Sequence, residues 1–70
     1  MNRLRVQSSD IHSIGYDNDT EVLEIEFNNG GVYQYSHVPE HVYTELMNAS
    51  SHGKFFHSHI KSKYSYQRLN

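Results

Sequence analysis

Residues 21–35 constrain the fold of this chain more than any other segment. From Leu23 to Phe27 apolar and acidic residues alternate, which is typical of a strand with one buried face. Residues 28–31 are two asparagines followed by two glycines, a strong signal for a hairpin turn. Residues 32–35 then supply the returning strand. The segment therefore predicts an antiparallel hairpin.

The length of the loop decides which side chains meet across this hairpin. A three-residue loop, residues 28–30, pairs Ile25 with Tyr33 and Leu23 with Tyr35. A loop of two or four residues would instead turn the polar residues of the returning strand toward the apolar face. Because register follows the hydrophobic pattern, we expect the three-residue loop, with both tyrosines in the core.

Further strands are predicted on both sides of the hairpin. Residues 11–16 form a strand that ends at the turn formers of residues 17–19. Residues 4–7 are a candidate edge strand. Residues 64–69 alternate again and form either a closing strand or an extended tail.

Two short helices are predicted after the hairpin. Pro39 suits the first turn of a helix, where its missing N–H costs nothing, and apolar residues follow at helical spacing. The second helix spans residues 54–62 and buries Phe56 with Ile60, four residues apart. The predicted fold class is α+β: an antiparallel sheet of three to four strands with two short helices packed on one face.

The chain has 70 residues and no cysteine, so we expect a single domain, residues 1–70, without disulfides or thiolate chemistry. All eight acidic residues lie between positions 10 and 45, and all six lysines and arginines lie outside that stretch. The sequence has no hydrophobic signal segment and no membrane-length apolar run. A cytoplasmic protein with no membrane partner is therefore expected.

The sequence resembles the KTSC family, named for the C-terminal domain of some lysyl-tRNA synthetases, over residues 6–68. The motif of this family is Tyr-x-Tyr, matched by Tyr33 and Tyr35. The other matching segments are residues 8–11, 14–17, 23–27, 38–39, 49–53, 55–56, 60–61 and 64. Two departures are His57, where asparagine is expected, and Lys61, where arginine is commoner and would provide a bidentate fork.

The resemblance implies a small bacterial or phage protein, and its synthetase context implies binding of RNA or tRNA. The residues that suit this function lie in the segment 54–68, which interleaves cations with aromatic rings. The predicted nucleic-acid contacts are Lys54, Lys61, Lys63, Arg68, Tyr64 and Tyr66. Tyr33 and Tyr35 could also form a stacking platform, but such a platform must be exposed, and the register favours a place in the core for both.

Metal binding and catalysis find little support in the sequence. His37 and His41 have a chelating spacing and Glu45 continues the His41 face, but no third ligand is evident. Residues 8–10 provide serines and an acid without a strained nucleophile turn. We therefore expect no metal, no cofactor, no catalytic residue and no small-molecule substrate.

The function predicted from the sequence is a small non-catalytic binding module that contacts RNA through the basic aromatic segment 54–68. The alternative is a module that binds another protein or a second copy of itself through an exposed strand edge or aromatic surface. Because phosphate contacts weaken with salt, the salt dependence of binding separates the two hypotheses.

Overall fold

The computed structural model describes residues 1–70 as an antiparallel sheet with two helices packed on one face. Neighbouring strands in the sheet follow chain order, β1-β2-β3-β4-β5. The strands are β1 (Leu4–Arg5), β2 (Ile11–Asp17), β3 (Val22–Phe27), β4 (Val32–Tyr35) and β5 (Tyr66–Arg68), and the helices are α1 (Glu40–Asn48) and α2 (His52–His59). The α+β prediction is confirmed. The sheet has five strands, one more than the upper expectation, because both short flanking segments pair with it.

The hairpin of β3 and β4 has the predicted register. Ile25 lies opposite Tyr33, and Leu23 lies opposite Tyr35. The loop closes with two backbone hydrogen bonds between Phe27 and the glycines, of which Gly30 N–H to Phe27 O is 2.9 Å. Gly30 has φ of 95°, a backbone conformation that other residues rarely adopt. The three-residue loop is therefore confirmed.

Helix α1 follows the predicted apolar face. Pro39 stands immediately before its first residue, and the Pro39 carbonyl accepts a hydrogen bond from the Val42 N–H at 3.0 Å. Val42 and Leu46 are buried against the sheet side of the helix. The helix thereby covers the face of the sheet that carries the hairpin's apolar side chains.

Helix α2 begins and ends earlier than the sequence indicated. It starts at His52, because the Ser51 hydroxyl caps it by accepting from the Lys54 N–H at 3.2 Å. It ends at His59, three residues before the predicted boundary. The predicted burial of Phe56 with Ile60 is correct, since these side chains are 2% and 0% exposed.

The core lies between the helices and one face of the sheet. A bulge between Ile11 and Ser13 lets both Ile11 and Ile14 face the helices. Ten buried residues form one cluster: Ile11, Ile14, Leu23, Ile25, Tyr35, Val38, Val42, Leu46, Phe56 and Ile60. Tyr33 packs against this cluster while remaining half-buried.

Strand β5 is fastened to the hairpin by residues that follow it. The Leu69 N–H donates to the Val32 carbonyl at 2.8 Å. The Asn70 side chain accepts from the Val32 N–H at 3.0 Å and donates to the Gly30 carbonyl at 2.9 Å. These bonds place β5 beside β4, with Tyr66 opposite Tyr35.

The opposite face of the sheet carries an ion-pair network centred on Arg3. Its guanidinium donates to Glu24 and, at 2.9 Å, to Glu26, while its Nε donates to the Ser13 hydroxyl at 3.0 Å. Gln34 donates to the second carboxylate oxygen of Glu24 at 3.0 Å. Because the Glu24 side chain is only 8% exposed, these bonds replace the water that burial removes.

The environment of Glu24 holds its pKa below the usual value. Desolvation alone would raise the pKa, but the hydrogen bonds from Gln34 and Arg3, with the positive charge of Arg3, outweigh it. A lowered carboxyl pKa stabilises the fold above the pKa of the unfolded chain, and the contribution is lost as pH falls through the folded value. The network therefore contributes to stability at neutral pH.

Replacing Arg3 with alanine should destabilise the protein by about 1–3 kcal/mol, because it leaves the buried Glu24 carboxylate without its cation. Urea unfolding followed by circular dichroism measures this loss. Arg5→Ala is the matched control, since Arg5 is exposed and forms no ion pair, and its effect should stay within about 0.5 kcal/mol. Equal losses in the two variants would contradict the role assigned to Arg3.

Candidate functional site

A groove of about 390 Å³ lies between α2 and the β4–β5 end of the sheet. It is called the aromatic groove below, because five rings line it: Phe27, Tyr33, Tyr35, Phe56 and Tyr66. Four polar side chains complete its lining: Asn29, His57, Lys61 and Ser62. The groove thus combines an apolar interior with a small number of polar groups, as ligand sites commonly do.

The rings of the aromatic groove contact one another continuously. Tyr35 is 4% exposed, and its ring meets Phe56 edge-on at 5.5 Å between centroids. Tyr66 lies 5.7 Å from both Tyr33 and Tyr35 and is 60% exposed. The exposure of the rings therefore increases across the groove, from the buried floor at Tyr35 to the open wall at Tyr66.

Tyr33 takes its position from the residues around it. The Arg68 guanidinium carbon lies 5.6 Å from the centre of the Tyr33 ring, within the range of a cation–π contact. A Cβ at Gly31 would lie only 3.1 Å from Cε1 of Tyr33. A side chain at residue 31 would therefore crowd the Tyr33 ring in this position.

Burial raises the pKa of Tyr35 to about 12, with smaller contributions from Tyr33 and Tyr66. The phenol is therefore neutral at physiological pH, and the floor of the aromatic groove carries no negative charge. A neutral phenol can donate and accept hydrogen bonds.

The charge at the rim of the groove is positive. Lys61 makes no ion pair, and no carboxylate lines the groove. Asp10, which does not line the groove, has its carboxylate 3.4 Å from His57 Nε2. An anionic ligand at this rim would meet a lysine without displacing a protein partner from it.

The predicted contact residues divide into two groups in the structure. Lys61 and Tyr66 line the aromatic groove, and Arg68 lies beside it over Tyr33. Lys54 lines a separate depression that shares no residue with the groove. The other two are Lys63, exposed in the turn after α2, and Tyr64, half-buried against the core.

Sequence reasoning missed several groove residues. Tyr33 was expected only in the core, yet it also lines the groove, because α2 leaves its ring half-buried. Asn29 was read only as a loop residue. The position of Asn29 in the loop before the aromatic strand 32–35 was the signal available in the sequence, but only the packing of α2 brings these side chains into one groove.

The histidines do not gather into a larger cluster with acids. His41 Nδ1 lies 3.1 Å from the Glu45 carboxylate on the exposed side of α1. No group of three or more histidine, aspartate or glutamate side chains is arranged to hold a metal ion. Neither helix has the length and apolar character needed to span a bilayer.

The fold and the groove define a small α+β domain with a partly exposed aromatic site, and comparison with known proteins identifies its family. The KTSC domain model matches residues 7–64, and the chain belongs to the KTSC domain family. A crystal structure of a KTSC domain protein from Yersinia pestis superposes with a TM-score of 0.96 at 45% identity, covering 99% of this chain and 97% of that one.

Similar sequences occur alone and within larger proteins. A protein of Stutzerimonas stutzeri, named as uncharacterised, is 40% identical over 70 residues and 99% of either chain. The lysine–tRNA ligase of Trichormus variabilis is 42% identical over 66 residues, and the lysine–tRNA ligase of Nostoc punctiforme is 39% identical over 66 residues. These matches cover 94% of this chain but only 12% of each ligase.

Gly31→Ala should displace the Tyr33 ring and cost about 1 kcal/mol of stability, because the added Cβ crowds both Tyr33 and Asn29. NMR chemical shifts of the Tyr33 ring measure the displacement. Gly30→Ala is the control, since its Cβ would meet open space and only the positive φ is strained. That control should lose stability while the Tyr33 shifts stay unchanged; unchanged Tyr33 shifts in Gly31→Ala would contradict the packing described.

Stability should decrease between about pH 10 and pH 12, because an unfolded tyrosine titrates near 10 while Tyr35 in the fold holds its proton to about 12. In that window the folded state binds more protons than the unfolded state, so alkali favours unfolding. Urea unfolding at several pH values measures the slope. Tyr35→Phe should make the slope shallower, with the remainder carried in part by Tyr16, whose pKa burial also raises. An unchanged slope would refute this assignment.

Proposed function

We propose that this protein is a non-catalytic module that binds unpaired RNA, with a base in the aromatic groove and a phosphate at its rim. The observation that carries the proposal is the combination of five rings, one free lysine and no carboxylate in a single groove. Aromatic faces suit bases, and lysines suit phosphates. An apolar pocket alone would lack the cation for a phosphate, and a basic patch alone would lack the aromatic faces for a base.

Tyr66 is the ring best placed for stacking on a base. It is 60% exposed, and its ring contacts those of Tyr33 and Tyr35. Stacking of a base on an aromatic side chain contributes about 1–3 kcal/mol. Tyr66 therefore takes the stacking role that the sequence assigned jointly to Tyr64 and Tyr66.

Lys61 and Arg68 are the cations placed to meet phosphates beside such a base. Lys61 lines the groove, and Arg68 lies over Tyr33 at its edge. Lys54 and Lys63 lie outside the groove and would contribute only to the general attraction of a polyanion. The basic segment thus divides into a contact pair and two charges that do not line the groove.

The relatives support an RNA ligand. Lysine–tRNA ligases act on a nucleic acid by name, and the chain matches a part of them. Support for a non-catalytic role comes from Ser8, whose hydroxyl accepts from the backbone N–H groups of Asp10 and Ile11 and so belongs to the local turn.

Protein binding or self-association is the second candidate, favoured by the free edge of β5. Tyr66 and Leu69 expose 60% and 44% of their surface at this edge, which another strand could extend. An apolar contact of this kind should respond little to salt, whereas phosphate contacts weaken steeply. The salt dependence therefore separates the candidates.

Lys61→Glu should weaken binding of short single-stranded RNA about tenfold at low salt and reduce the salt slope of the affinity, because it replaces a phosphate contact by a repulsion. Fluorescence anisotropy with labelled RNA measures both quantities. Lys54→Glu is the matched control: it makes the same charge change on α2, outside the groove, and its effect should be within about twofold.

NMR titration of isotope-labelled protein locates the surface independently. Shifts that cluster on the groove residues and fade with salt are expected. Equal weakening by the two glutamate variants would reject the groove as the contact site. An absence of shifts at low salt would reject RNA binding and favour a protein partner.

A further inference from the structure

Asn29 lines the aromatic groove and carries a side-chain amide that is bonded to the backbone of its own loop. Its side-chain oxygen accepts from the Gly31 N–H at 2.9 Å. Because a backbone N–H can only donate, the atom facing it must be the carboxamide oxygen, and the NH2 group points elsewhere. This NH2 group has no hydrogen-bond partner within the chain, although the residue lines the groove.

The loop that carries Asn29 is held in place before any ligand arrives. Asn28, its neighbour, donates from its side chain to the Ser8 carbonyl at 3.0 Å. The Gly30 carbonyl accepts from the Asn70 side chain at 2.9 Å. A donor held on a preorganised loop loses little entropy when it binds, so it can contribute to specificity.

Among the polar groups of the groove, the amino groups of Asn29 and Lys61 can only donate, whereas the hydroxyls of Ser62 and the tyrosines can donate or accept. Asn29 and Lys61 supply amino groups, and the carboxamide oxygen of Asn29 is already used. Beside the Asn29 amide, a base that presents a carbonyl oxygen would be accepted, whereas a base that presents an amino group would place a donor against a donor. The base-edge chemistry of nucleic acids makes this distinction directly: uracil and guanine carry a carbonyl where cytosine and adenine carry an amino group.

We propose that the aromatic groove selects an unpaired keto base, uracil or guanine, in an RNA strand, and that the Asn29 amide makes the discrimination. The inference rests on the proposed function and adds base preference to it. In this arrangement Tyr66 and its neighbours hold the face of the base. Asn29 donates to O4 of uracil or O6 of guanine, and Lys61 contacts the phosphate.

The test compares the affinities of short oligo-uridine and oligo-cytidine, because their bases differ at the position that Asn29 contacts. Oligo-uridine should bind about fivefold more tightly, the effect of one additional hydrogen bond. Asn29→Asp keeps an oxygen for the Gly31 N–H but replaces the NH2 donor with a second acceptor. Its ratio of uridine to cytidine affinity should fall to one or below.

Asn18→Asp is the charge control, since it adds the same charge at the exposed turn after β2, which does not line the aromatic groove. It should weaken both oligomers equally and leave the ratio unchanged. Amide NMR spectra establish that each variant is folded.

The failures of the two proposals are distinguishable. If oligo-uridine and oligo-cytidine bind equally while Lys61→Glu still weakens both, base selection by Asn29 is wrong and RNA binding stands. If neither oligomer binds at low salt, both proposals are wrong. Uridine monophosphate binding as tightly as the oligomer would overturn the assignment to an RNA strand.

Discussion

The turn at Gly30 determines which side chains of β3 and β4 face the helices, and both faces of the sheet depend on that alignment. Side chains alternate across a strand, so a shift of one residue would turn Tyr33 and Tyr35 away from α2 and bring Gln34 beneath it. The same shift would separate Gln34 from the buried carboxylate of Glu24 on the other face. One backbone conformation, with φ of 95° at Gly30, is therefore compatible with the core and with the ion-pair network together.

The aromatic groove exists because the helical layer is smaller than the sheet it covers. Helix α2 has eight residues, and beyond Phe56 only His57 and the turn around Lys61 and Ser62 line the groove at the β4–β5 end. A chain of this size cannot bury all its large side chains, so part of its aromatic surface stays exposed. This exposed aromatic surface lies in a groove that no carboxylate lines, although the chain as a whole is acidic. Apolar groups and anions can therefore both approach the groove without meeting a negative charge in its lining.

The hairpin register and the faces of the helices follow from local patterns, and they could be predicted from the sequence. The alternation from Leu23 to Phe27 and the loop glycines determine the hairpin register. The spacing of apolar residues determines which face of each helix is buried. The groove could not be predicted, because its residues come from separate parts of the chain: Asn29 from the hairpin loop, Lys61 from the turn after α2 and Tyr66 from β5. No local pattern encodes how these parts pack together. The start of α2 was misplaced because the cap at Ser51 competes with the apolar pattern as a boundary signal.

Strand β5 contributes one wall of the groove, although it is only a three-residue strand at the edge of the sheet. Three residues pair with β4, and the side chain of Asn70 secures them to the hairpin. Such a short edge element opens locally at lower free energy than the core strands. Detachment of β5 would carry Tyr66 and Arg68 away from Tyr33, so the groove is complete only while the strand is docked. Ligand occupancy and local folding of β5 are therefore thermodynamically linked, and a bound ligand would slow hydrogen exchange at amides far from any atom it touches.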